Sequence, residues 1–213
     1  MKLIVISSAK DFPDEIDITT QLFNNGLELF HLRKTELSQK DMACFLDKIP
    51  QEFHNRIVIH SNHSIILKYN LRGVHLRRKH RKNKLETEIK LNYFNVLKPQ
   101  MKVTTSFHSL EGLLNDTRKY DYVFLSPIFD SISKRGYPSK FRDHNLTIAL
   151  SKVNHKVIAL GGVDLAKVEL IKNMNFSGMA LHGVIWESKN PVDEFMKIKS
   201  ANEQTNCTQY CGL

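Results

Sequence analysis

The 213-residue chain has no run of eighteen apolar residues, so no membrane-spanning helix can be read from it. No secretory leader is expected either: the first apolar stretch, Leu3–Ile6, is four residues long and runs straight into Ser7-Ser8. Glycine (9) and proline (6) are scarce, and no linker, low-complexity segment or second domain stands out. Three cysteines are too few for a disulfide framework, and their spacing fits no zinc pattern. Cys44 falls in an apolar helical stretch and reads as core. Cys207 and Cys211 fall in the polar tail Ser200–Leu213, which is expected to fray. This usage fits a reducing cytoplasm. The first turn after a strand, Ser7-Ser8-Ala9-Lys10-Asp11, also lacks the glycines that an open dinucleotide-binding sheet needs.

What is present is an alternation. Eight short apolar runs read as buried parallel strands: Lys2–Ile6, Leu27–Leu32, Arg56–His60, Gly73–Leu76, Met101–Ser106, Tyr122–Leu125, Lys156–Leu160 and Gly178–Leu181. Helix-period segments separate them: Glu15–Asn24 (stopped by Gly26), Ser38–Ile49 (stopped by Pro50), Asn62–Tyr69, Leu85–Val96, Ser109–Thr117, Asp143–Val153, Asp164–Met174 and Pro191–Lys199. Ser109 and Asp164 read as N-caps. Eight strands alternating with eight helices predict an α/β chain folded as a compact single-domain (β/α)8 TIM barrel over residues 1–199, followed by the tail 200–213.

The formal charge is +9, and it is concentrated. Arg77, Arg78, Lys79, Arg81, Lys82 and Lys84 supply six cations in eight residues, and without them the charge falls to +3. That points to a local anionic partner, such as a phosphorylated small molecule, more than to a nucleic-acid footprint. The run carries no interleaved aromatic for base stacking, which disfavours RNA.

Barrel active sites lie at the C-terminal strand ends. Five of the ten histidines fall there: His31, His60, His75, His108 and His182. Together they suggest a metal or proton transfer near neutral pH. A metal is the weaker choice, because no Asp or Glu ends strands two to five. Gly161-Gly162 after the seventh strand and Gly183 after the eighth let backbone amides approach a phosphate. The loop after the sixth strand offers Ser131, Ser133 and Lys134 as anion contacts.

These motifs resemble the thiamine-phosphate synthase and thiazole tautomerase family. The resemblance rests on Phe30-His-Leu-Arg33-Lys34, Gly73-Val-His-Leu76, Thr104-Thr-Ser-Phe-His108-Ser109, Asp121–Phe129 with Ser131-x-Ser133-Lys134, Ala159-Leu-Gly-Gly-Val163 and Gly183-Val-Ile-Trp186, in family order over residues 1–198. It implies a (β/α)8 barrel that binds a thiazole phosphate through Gly162, His182, Gly183, Ser131 and Ser133. Synthases of the family end strand three with Asn-Asp and follow strand four with Gly-Gln-x-Asp, whose aspartates hold Mg²⁺ on a pyrimidine diphosphate. Here Ser61 and His80 stand in their places, and oxygen-loving Mg²⁺ loses its carboxylates.

That departure favours the tautomerase branch: proton transfer on a phosphorylated thiazole carboxylate without metal or other cofactor. The candidate catalytic residues are His108 as general base or acid, with Arg33 and His31. His60, His75, Ser131, Ser133, Lys134, Gly161, Gly162, His182 and Gly183 are candidate substrate and phosphate contacts. Two alternatives stay open. One is synthase chemistry, with Mg²⁺ or with the cationic run in its place. The other is a non-catalytic thiazole-phosphate binder. A homodimer is left open as well.

Overall fold

The computed structural model describes residues 1–129 and 143–204. Eight parallel strands close into a barrel in sequence order: β1 (Lys2–Ile6), β2 (Leu29–Leu32), β3 (Ile57–Ile59), β4 (Gly73–Leu76), β5 (Lys102–Phe107), β6 (Tyr122–Leu125), β7 (Val157–Leu160) and β8 (Gly178–Leu181). The ring shuts through β1 and β8, with Leu3 opposite Met179 and Val5 opposite Leu181. Around it lie α1 (Glu15–Asn24), α2 (Gln39–Asp47), α3 (Arg78–Lys82), α4 (Lys84–Leu97), α5 (Leu110–Asn115), α6 (Asp143–Lys152), α7 (Val168–Asn173), α8 (Gly183–Trp186) and α9 (Pro191–Gln204). None of these helices is long and apolar enough to cross a membrane.

Local chemistry explains most boundaries. Ser38 and Ser109 accept the Asp41 and Gly112 amides at 3.2 Å, capping α2 and α5. Asp164 accepts the Lys167 amide at 3.1 Å, but the first turn it opens is 3₁₀ (Leu165–Lys167) before α7 begins. Gly26 ends α1 at φ +90, as a left-handed C-terminal residue should.

Several expectations need correction. The helix expected over Asn62–Tyr69 is a short 3₁₀ segment, His63–Leu67, with Ile65 and Ile66 both buried. The cationic run forms α3 instead of an open loop. Cys44 is exposed: the buried face of α2 is set by Met42 and Leu46, and Cys44 sits half a turn from both. Helix α9 continues five residues past Lys199, because Asn202 is buried and clasps the chain start. Its side-chain amide donates to the Met1 carbonyl at 2.8 Å, and its oxygen accepts from the Met1 ammonium at 3.3 Å. Cys207 and Cys211 lie outside the described residues.

The barrel has two cores. The larger fills the layer between strands and helices and includes Val5, Phe30, Leu32, Ile57, Ile59, Leu125 and Phe195. The smaller lies within the barrel: Ile4, Ile6, Leu29, Tyr122, Phe124, Ile158 and Ala180, with Leu160 against it. The interior is uneven around the ring. Strands β6 to β8 and β1 supply most of those apolar side chains, with Leu29 from β2, whereas β2, β4, β5 and the residue after β3 contribute His31, His75, Thr104, Ser106 and His60.

Candidate active site

The polar side of the barrel carries two hydrogen-bond chains. In the first, His31 Nε2 meets the Tyr122 hydroxyl at 2.6 Å and His31 Nδ1 meets His60 Nε2 at 2.8 Å. In the second, His75 Nδ1 meets Thr104 Oγ1 and His75 Nε2 meets Ser106 Oγ, both at 2.9 Å. The chains touch where the His60 and His75 rings stack, with centroids 4.0 Å apart and planes 14° from parallel. All three histidines are buried. Burial holds each below the ordinary imidazole value: His31 falls to about 3, and for His60 and His75 the neighbouring histidines and Arg33 add to the effect. At neutral pH all three are uncharged.

Above them, at the ends of β2, β3 and β4, opens a cavity of about 740 Å³. Its walls include Thr35, Ser61, Asn62 and His63 from the first two ends, Arg77, Lys79 and His80 from the third, and Thr87, Lys90 and Phe94 from α4. The Nε atoms of Arg77 and Arg81 and Nε2 of His63 are buried without a hydrogen-bond partner. The His63 and His80 rings lie 4.8 Å apart. Both are pushed down to about 4, chiefly by burial, with each other or the adjacent Lys79 and Arg77 contributing. Within this concentration of charge the two imidazoles stay neutral. The one carboxylate among the described lining residues, Glu86, is engaged by Lys90 and by the Asn83 amide.

The sequence expectations divide on this geometry. Ser61 and His80, which stand where the resemblance implies metal-binding aspartates, do face one cavity. His31, His60 and His75 come together, but as a buried cluster rather than an open rim. Arg33 is exposed beside them, its backbone amide donating to Ser7 Oγ at 2.8 Å. Lys34, from the same motif, turns away: it is buried against Glu15 at 2.6 Å and also donates to the Lys10 carbonyl. His108 is exposed at the end of β5, its Nδ1 donating to the Ser126 carbonyl at 2.9 Å, so in the neutral ring Nε2 carries the lone pair. Asp121 sits at the opposite end of the barrel, paired with Lys102 at 3.1 Å.

On the far side, β7 and β8 run side by side and their glycine loops are neighbours. Gly161 and Gly162 have φ +93 and +66, and a Cβ at Gly161 would lie 2.9 Å from Pro127. The turn therefore needs glycine partly to let the chain after β6 cross: Ile128 and Phe129 donate to the Leu160 and Gly161 carbonyls. His182 precedes α8, which opens at Gly183, so first-turn amides without partners inside the helix sit beside the Gly161-Gly162 turn. Ser131, Ser133 and Lys134 lie outside the described residues.

Sequence reasoning missed His63. Its signal was position, four residues after the last residue of β3, next to an asparagine in the left-handed conformation (Asn62, φ 52) that turns the chain into the cavity wall.

Known proteins share this architecture. A Chlamydia caviae protein named thiamine-phosphate synthase is 24% identical over 196 residues, 89% of each chain, and a Chlamydia abortus protein of the same name matches equally well. A crystal structure of thiamine phosphate pyrophosphorylase from Bacteroides thetaiotaomicron is 31% identical, covers 95% of this chain and 98% of its own, and superposes with a TM-score of 0.77. One from Pyrococcus furiosus shares the fold at 16% identity, with 95% and 96% coverage and a TM-score of 0.76. The thiamine monophosphate synthase family profile matches residues 3–185, and the chain, a closed eight-stranded barrel with these glycine loops, belongs to that family.

Proposed function

We propose that this protein is a synthase-type transferase: it joins a pyrimidine diphosphate to a thiazole phosphate and releases diphosphate, which leaves from the cationic cavity. The carbon–oxygen bond to the diphosphate breaks as the thiazole nitrogen takes its place. The reaction thus needs stabilisation of a departing polyanion, and preorganised cations supply it electrostatically. One observation carries the reading. The two positions expected to hold Mg²⁺-binding aspartates instead present Ser61 and His80 to a cavity walled by Arg77, Lys79 and Lys90. Arginine and lysine form charge-assisted hydrogen bonds to phosphate oxygens without a bridging metal. The thiazole phosphate takes the Gly161-Gly162 and Gly183 loops, and the family resemblance adds Ser131, Ser133 and Lys134 as contacts. The named relatives support coupling over the proton transfer to which the missing carboxylates point.

The test is to supply both substrates and follow thiamine phosphate. Its formation at catalytic rates supports the reading, and diphosphate binding without product refutes it. The isomerase reading keeps one observation in its favour: exposed His108 presents a basic Nε2 at the rim. Aromatisation of a phosphorylated thiazole carboxylate by this protein would establish it.

A further inference from the structure

We propose that His31, His60 and His75 form a binding site for a borderline divalent transition ion, Zn²⁺ being the probe, inside the barrel. The inference goes beyond the transfer reaction and does not depend on it. One ring nitrogen of each histidine lies within 4.8 Å of the others, on three adjacent strand ends. The sequence offered no carboxylate for a metal; the fold offers three imidazoles.

Three physical features make the cluster ligand-like. First, burial keeps the rings neutral, and neutral imidazole is the form that binds metal, so little competition from protons arises at pH 7. Second, two of the three rings have outer partners of the kind that orient metal-binding histidines. Tyr122 holds His31 Nε2, leaving Nδ1 for an ion, and Thr104 holds His75 Nδ1, leaving Nε2. Third, there is a way in. Ser106 is partly exposed at the mouth end of β5 and touches His75 Nε2, so its hydroxyl or a water can supply a fourth donor.

The present packing is the closed form of such a site. His31 Nδ1 and His60 Nε2 are 2.8 Å apart and share one proton. A tetrahedral ion with bonds of about 2.0–2.1 Å needs its ligands about 3.3 Å apart, so loading shifts that proton to the other nitrogen of the donating ring, widens the pair by about half an ångström and tilts the stacked His60 and His75 rings. An all-nitrogen set selects Zn²⁺, Co²⁺, Ni²⁺ or Cu²⁺ and rejects Mg²⁺, which requires oxygen.

To test this, chelator-stripped full-length protein is equilibrated with Zn²⁺, Co²⁺ or Mg²⁺ in separate samples, desalted, and its metal content measured. The expected result is about one Zn²⁺ or Co²⁺ per chain, a tetrahedral visible band with Co²⁺, and no retained Mg²⁺. His60→Ala and His75→Ala lose the ion. Tyr122→Phe keeps all three ligands but weakens affinity about 10–100-fold, as loss of an outer partner does. A wild-type protein that retains neither ion overturns the proposal, as does retention unchanged in both alanine variants. If those variants do not fold, the imidazole nitrogen NMR signals of the wild type decide. Shifts on Zn²⁺ addition at the three buried rings support the site, and shifts confined to exposed rings such as His108 overturn it.

Discussion

The two halves of the barrel mouth are built from different materials. On the β7–β8 side the proposed contacts are backbone: Gly161 and Gly162 at positive φ, beside Gly183 at the start of α8. On the β2–β4 side they are side chains, Ser61, His63, Arg77, Lys79 and His80 around one cavity, where the sequence resemblance implies carboxylates. A backbone anion site depends on conformations that few residues adopt, so it resists change. A side-chain site can exchange a metal and its carboxylates for permanent cations while the strands beneath it stay in place. Under the proposed function, the glycine half takes the thiazole phosphate and the side-chain half takes the leaving diphosphate.

Four changes break or sharpen that division. Arg77→Ala removes a cation with a buried, unpartnered Nε from the cavity wall. Loss of one such preorganised donor should lower kcat for coupling about 10²–10³-fold, measured by thiamine phosphate formation, with folding intact by circular dichroism. Gly161→Ala attacks the other half. A methyl group at φ +93, against Pro127, should cost about 1–3 kcal/mol in chemical denaturation and raise KM for the thiazole phosphate.

The third change is of pH. His31, His60, His75, His63 and His80 all have folded values below the unfolded 6.5, so the unfolded chain takes up protons first. Their contribution to stability is complete above pH 6.5 and falls as pH drops through 6.5 toward 4 and then 3. The urea midpoint should therefore decline steadily between pH 7 and pH 5. A flat profile would mean that these rings are solvated. The smallest effect is expected for His108→Asn: coupling should change by far less than the about 10²-fold that a proton-transfer group contributes. A larger loss would move the chemistry to that rim histidine.

Much of the architecture was legible in the sequence because continuous apolar runs such as Tyr122–Leu125 and Val157–Leu160 can only be buried strands, and Gly26, Ser38 and Pro50 punctuate helices by local rules. What escaped was set by three-dimensional neighbours. Nothing local says that Asn202 will clasp Met1 and extend α9, whereas the exposure of Cys44 follows from its helical spacing from Met42 and Leu46, a signal that its apolar surroundings masked. Similarly, His31, His60 and His75 each ended a strand, but only closure of the barrel turns them inward onto Tyr122, Thr104 and one another. Lys34 shares its motif with the candidate Arg33 but faces elsewhere. Its pairing with Glu15 depends on where α1 packs.

The account rests on fixed cations serving where a divalent ion would otherwise sit on the diphosphate. The most direct measurement is the rate of diphosphate release from the two substrates in excess EDTA and again across a Mg²⁺ titration. The predicted result is turnover in EDTA that added Mg²⁺ leaves essentially unchanged. Turnover that vanishes in EDTA and returns in proportion to Mg²⁺ would contradict it.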